Sequence, residues 1–259
     1  MNAAEIDVSL EMGARSKHEF FAELRKALAE AMTRADATAS LPKLVRTQTR
    51  QVLETFSDQK AAELLARFSR NHTWQCPTLV VLRAFAFLDA SDLSDDARLK
   101  YIPFSMRERW NPKGHLRAEN GTPEDLANSK KVFQKELEIV RAMRLAGLKF
   151  LAGTDAPTPN VFPGFGLHDE LRLLVSAGLT PMEALQAATR NAATYLGLLD
   201  SLGTVEKGKI ADLVLLEGNP LDDISNTQKI AAVVLGGKLI SKFSLQSMLA
   251  EVERMANKK

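Results

Sequence analysis

The sequence predicts an α/β fold with a parallel sheet, and three observations carry that expectation. Helical stretches alternate with short apolar runs across glycine punctuation, which is the rhythm of βα units. One run, Leu148 to Ala152, ends abruptly in the small-residue turn Gly153-Thr154-Asp155-Ala156-Pro157. Past Gly203 the pattern changes to short β-type runs with a Gly236-Gly237 hairpin signal. In a parallel α/β protein, a carboxylate just past a strand lies at the carboxyl face, where barrel enzymes keep their catalytic groups. Asp155 is therefore the leading candidate for chemistry.

The elements follow in order. Ser16-Lys17-His18-Glu19 is a capping-box pattern, with Phe20, Phe21, Leu24, Leu28 and Met32 behind it at helical spacing. Two more helices are expected, around Leu44 to Phe56 and from Lys60 to Arg70. Trp74 to Leu82 is short, apolar and partly β-branched and reads as a strand, with Pro77 near its end, where a missing amide is tolerated. Residues 89–120 are mixed and read as a long functional loop, with Trp110-Asn111-Pro112-Lys113-Gly114 a clear loop signal. Thr122-Pro123-Glu124-Asp125 opens a helix with a hydroxyl cap and proline at the first position, and Gly147 suits its left-handed end.

After the Asp155 turn, a helix is expected from Leu167 to Ala177, ended by Gly178. Thr180-Pro181-Met182-Glu183 restarts helix with cap, proline and capping box together. Ile210 to Leu216 reads as a strand, Ala231–Leu235 and Lys238–Ser241 as a hairpin, and the tail from Ser244 as an amphipathic helix.

Composition narrows the class of function. With 34 Lys+Arg against 32 Asp+Glu, the net charge is +2, so no global field points to nucleic acid or a membrane surface. The single Cys76 allows no intrachain disulfide and fits a reducing compartment. The amino-terminal residues lack signal-peptide character, so a cytoplasmic location is expected, or a periplasmic or secreted one if a signal peptide precedes them.

The segments Gly153-Thr154-Asp155-Ala156-Pro157, Gly166-Leu167-His168-Asp169-Glu170-Leu171, Ala177-Gly178-Leu179-Thr180-Pro181-Met182-Glu183-Ala184-Leu185, Ala188-Thr189-Arg190-Asn191-Ala192-Ala193, Gly203 to Val214 and Gly218-Asn219-Pro220-Leu221 follow one another in this order. That series resembles the carboxyl-terminal part of the amidohydrolase superfamily, above all its imidazolonepropionase-like and metal-dependent dipeptidase (prolidase-like) members. The resemblance covers about Leu148 to Lys242. It implies the last units of a (β/α)8 TIM-type barrel in residues 1–199. For residues 200–259 it implies part of a small β-sandwich and a C-terminal helix.

The implied activity is hydrolysis of carbon–nitrogen bonds in amides, cyclic amides or dipeptide-like small molecules by a metal-held hydroxide. The implied cofactor is a divalent metal, Zn²⁺ first, which lowers the pKa of its bound water. By resemblance Asp155 is the metal-binding carboxylate and proton shuttle. His168, at the start of a helix beside the site, and His115, after a Pro-Gly loop, are candidate substrate-binding groups. Tyr101, Phe104, Arg107, Arg109 and Trp110 are candidates to hold an anionic substrate end.

The rest of the family's ligand set is not in the sequence. The chain has four histidines (His18, His72, His115 and His168) and no His-x-His. A full barrel takes about 250 residues, at about 30 per βα unit, whereas only about 150 precede Asp155. Trp74–Leu82 and Leu148–Ala152 are accordingly expected to be the seventh and eighth strands, with Val8 to Gly13 a remnant of the sixth. The expected partners are a small-molecule substrate and a missing amino-terminal half or a second copy of the chain. The alternative is a non-catalytic remnant that binds a partner chain through uncovered barrel and sandwich surfaces.

Overall fold

The computed structural model describes residues 37–88, 95–110 and 122–258, with side chains from Val45 onward and Arg109 excepted. The expectations for Val8–Gly13, the helix behind Ser16 and His115 lie outside these residues.

Helix α1 (Ala37–Thr55) leads into α2 (Asp58–Arg70), whose N-cap Ser57 accepts a hydrogen bond from the Lys60 amide. Strand β1 is only Trp74–Gln75, and α3 (Leu79–Ala86) follows it directly. This corrects the long strand expected from Trp74 to Leu82. Leu79-Val80-Val81-Leu82 is apolar on all sides because it forms a buried helix, and Leu79 and Val81 have no exposed surface. Between 95 and 110, a 3-10 helix (Ala97–Tyr101) and α4 (Phe104–Trp110) occupy part of the stretch expected to be loop.

Helix α5 (Pro123–Leu145) starts on a complete capping box between Thr122 and Asp125. Gly147, at φ +73, turns the chain into β2 (Lys149–Phe150). The two strands are parallel, with Trp74 opposite Lys149 and Gln75 opposite Phe150. The Leu151 amide extends the ladder by donating to the Gln75 carbonyl at 2.8 Å. The other edge of β2 is closed by what comes later. The Phe150 carbonyl accepts from Asn191 Nδ2 at 3.0 Å, and the Ala152 amide donates to the Ala187 carbonyl at 3.2 Å.

Helices α6 (Gly166–Ser176), α7 (Pro181–Ala188) and α8 (Arg190–Tyr195) complete this half. Its core joins α2 (Leu64, Leu65), α5 (Ile139, Val140, Met143), β2 (Phe150) and α6 (Leu171, Leu174). The remainder is a three-stranded antiparallel sheet in the order β3 (Leu213–Leu216), β4 (Ile230–Leu235), β5 (Lys238–Ser241). Gly236 and Gly237, at φ +55 and +78, make the tight turn of its hairpin. Asp212 Oδ1 accepts from the Gly236 amide at 2.7 Å, which ties that turn to the start of β3. Helix α9 (Lys242–Ala256) packs against β4 and β5. Among the described residues, no helix is long and apolar enough to cross a membrane.

Candidate functional site

Because β1 and β2 are parallel, their carboxyl ends open on the same side. There the turn Cys76-Pro77-Thr78 meets the turn Gly153-Thr154-Asp155. The contact is close: a Cβ placed on Gly153 would lie 2.6 Å from Cys76 Sγ, so only glycine fits beside that thiol without a shift. Asp155 follows two residues later, exposed and in the left-handed region at φ +48. Aspartate tolerates that region better than most residues. The Asp155 carbonyl accepts from the Thr158 amide at 3.1 Å and from its hydroxyl at 2.5 Å, which fixes the backbone there. Asp155 thus lies just past the carboxyl end of β2.

His168 lies in the first turn of α6. Its Nδ1 is 3.0 Å from Thr227 Oγ1, and that hydroxyl donates its only proton to the Ile224 carbonyl at 2.8 Å. The hydroxyl must then accept, so Nδ1 carries the ring proton, a tautomer assigned from the network. Burial pushes the His168 pKa down, against a smaller upward pull from Asp169. The neutral form is therefore the native one. The unfolded chain binds a proton more readily than the fold does between the lowered native pKa and the ordinary value of 6.5. This part of the stability is present above pH 6.5 and is lost as pH falls through the native pKa. Thermal melts at pH 7.5 and pH 5 should show an acid-side loss that shrinks in His168→Gln. Equal losses in both chains would assign it to other groups.

Three residues missed in the sequence matter here. Glu170, in the first turn of its own helix, is fully buried, and its Oε2 accepts from the Val80 amide at the start of α3 at 2.8 Å. Arg98 bonds Asp96 and Asp169 together, and its guanidinium lies 4.4 Å from the Phe162 ring centre. Burial opposes its charge, yet the bonds to Asp96 and Asp169 hold its pKa above the ordinary value. Thr227 is the third. The bonds of Glu170 to Val80, Arg98 to Asp169 and Thr227 to His168 have no local signal, since each reaches a segment far away in the chain.

Three of the expected anion-binding groups have other partners. Tyr101 stacks on Phe165 at 5.4 Å, and Trp110 packs edge-on against Phe162 at 5.5 Å. Arg107 donates to Asn257 Oδ1 at the end of α9. These groups hold residues 97–110 onto the loop after Asp155 and onto α9.

A profile of the amidohydrolase family matches residues 83–240. The chain belongs to the amidohydrolase family. It is 40% identical over 99 residues to an ochratoxinase of Aspergillus niger, a stretch covering 36% of this chain and 20% of that enzyme. It is 40% identical over 86 residues to an imidazolonepropionase of Pseudomonas putida, covering 31% of this chain and 20% of that one. Among solved structures it matches a bottromycin amidohydrolase with a TM-score of 0.57 at 25% identity, over 71% of this chain and 40% of the other. The matched part thus spans about a fifth of the curated relatives' length. Within the family's architecture the parallel pair and its helices are part of a barrel, and the antiparallel sheet is part of the small sandwich.

Amidohydrolases as a family use divalent metals, and the residues present can be tested against that. A catalytic metal site normally has three protein ligands. Among the described residues, no three His, Cys, Asp or Glu side chains come together that could hold a metal ion. The described donor set does not fit the metal.

Proposed function

We propose that this chain carries the Asp155 part of a hydrolase acting on carbon–nitrogen bonds in small molecules of the amide, cyclic-amide or dipeptide-like class. One observation carries the reading: an exposed carboxylate at the shared carboxyl end of a parallel strand pair, in a chain of the amidohydrolase family. The relatives named for ochratoxin and imidazolonepropionate support small-molecule substrates. In this reading Asp155 takes a proton from the attacking water and passes it to the leaving nitrogen, which a carboxylate within hydrogen-bond reach can do. Asp155 is in this reading also a metal ligand, and the remaining ligands, with Zn²⁺ the first expectation, come from outside the described residues. The Thr227 bond of His168 favours a supporting role for it over direct substrate contact. His115 stays a substrate-side candidate.

A second reading has its own observation. No residue of β3, β4 or β5 is buried, and Val214, Leu235 and Leu239 are about 60% exposed or more. Strands apolar on both faces ordinarily lie between two layers. A partner-binding chain without catalysis would present such a surface.

The test is hydrolysis of N-acyl amino acids, cyclic amides and dipeptides by the chain with Zn²⁺. It is run alone and with a separately expressed barrel half that carries His-x-His. Turnover in the complemented sample supports the first reading. A stable complex that hydrolyses nothing supports the second.

A further inference from the structure

We propose that the first turn of α6, His168-Asp169-Glu170, is the positioning hub of the Asp155 site. Consecutive residues on a helix point in different directions, and here each fastens a different element. His168 holds the 3-10 turn Ile224–Gln228 through Thr227. Asp169 holds Arg98 of the 3-10 helix Ala97–Tyr101. Glu170 holds the Val80 amide at the start of α3.

The Glu170 bond replaces a missing cap. Helix starts leave amides without partners, and a local side chain normally satisfies one. At α3 the N-cap Thr78 is left-handed, at φ 53, and makes no side-chain capping bond. The acceptor comes instead from a carboxylate 90 residues later, with no exposed surface. A leucine there would leave the Val80 amide buried without an acceptor.

Two closed circuits follow; the first passes through Asp155 and the second closes on the loop that comes after it. In the first, Glu170 fixes the start of α3, and α3 fixes the Cys76–Thr78 turn. That turn abuts Gly153, two residues before Asp155. The chain then returns through residues 156–165 to α6. In the second, Asp169 holds Arg98, and Arg98 lies over Phe162 within that same loop. Glu170 and Asp169 thereby hold the segments on either side of Asp155, and His168 anchors the helix that carries them. The inference rests on reading Asp155 as the reactive carboxylate. Its test follows the Asp155 loop directly, so it gives an answer even if no substrate is hydrolysed.

The experiment is peptide-resolved hydrogen exchange on the full chain and on Glu170→Leu, Glu170→Gln, Arg98→Met and Thr227→Val. Glu170→Leu should speed exchange roughly tenfold or more in residues 79–84 and 153–161, and leave 230–241 unchanged. Glu170→Gln should restore both segments to within about twofold, because its amide oxygen still accepts the Val80 bond. Arg98→Met should open 97–103 and 158–165, and Thr227→Val should open 224–229 and 166–170. The hub is overturned if Glu170→Leu accelerates every segment alike, if 153–161 does not respond, or if Gln behaves as Leu does. Should Glu170→Leu not fold, Arg98→Met decides: an unchanged 158–165 overturns the proposal.

Discussion

Gly203→Ala is expected to destabilise the chain by about 2–5 kcal/mol, with the transition lowered by roughly 5–15 °C in a thermal melt. Two independent costs add. Gly203 has φ +87, a conformation that an L side chain adopts with strain of about 1–2 kcal/mol. A Cβ there would also lie 2.6 Å from Ala193 Cβ, 3.1 Å from Arg190 Cα and 3.1 Å from the Thr189 carbonyl oxygen, all in or beside α8. Backbone cannot rotate away as a flexible side chain does, so α8 must shift at a further cost of about 1–3 kcal/mol. Gly208→Ala separates the two costs. Its φ is +95 and its Cβ would meet nothing within 4 Å, so only the strain of about 1–2 kcal/mol remains. Equal melts for the two variants would show that the α8 contact contributes nothing. The contact matters beyond stability, because α8 carries Asn191 and Asn191 closes the edge of β2 beside the site.

What could be read in the sequence divides by the range of the interaction. Thr122 with Asp125, and Thr180 with Glu183, form the capping boxes their spacing predicts, since both partners lie within one helical turn. The Gly236-Gly237 hairpin is likewise a matter of two residues' backbone freedom. Helix α3 shows the limit. Leu79-Val80-Val81-Leu82 is apolar on every side, so no period distinguishes buried strand from buried helix. The signal that would decide it, a cap, is absent locally and supplied by Glu170 from another part of the fold.

The candidate site divides in the same way. The position of Asp155 just past β2 was legible because strand, small-residue turn and proline are contiguous. The bonds of His168 to Thr227, and of Asp169 to Arg98, span 59 and 71 positions and leave no trace in local pattern. Tyr101 and Trp110 show the converse error. Aromatic groups in a polar stretch read as ligand contacts, but here they pack on Phe165 and Phe162, the apolar residues of the loop they cover. Local composition names the residues available, and tertiary partners decide which are committed to packing.

Asp155→Asn is the substitution expected to separate chemistry from fold. In a complemented, active assembly it should lower kcat/KM by roughly 10²–10⁴-fold, the usual contribution of a positioned proton-transfer group. Stability should stay within about 0.5 kcal/mol of the parent. Asparagine suits the left-handed φ of +48 as well as aspartate does. The backbone bonds at this turn run from Thr158 to the Asp155 carbonyl, which the substitution leaves in place. Alanine is the wrong probe, since it has no local polar group to favour that conformation and would add strain to the loss of the carboxylate. Asp155→Gly gives the complementary result: backbone strain is relieved, the unfolded chain gains freedom, and stability stays near neutral while turnover falls as in the asparagine variant. Paired melts and kcat/KM measurements on Asn and Gly therefore isolate the carboxylate. If Asp155→Asn retains activity within about threefold, less than any positioned proton-transfer group contributes, Asp155 is a turn residue and the proton is handled by another group.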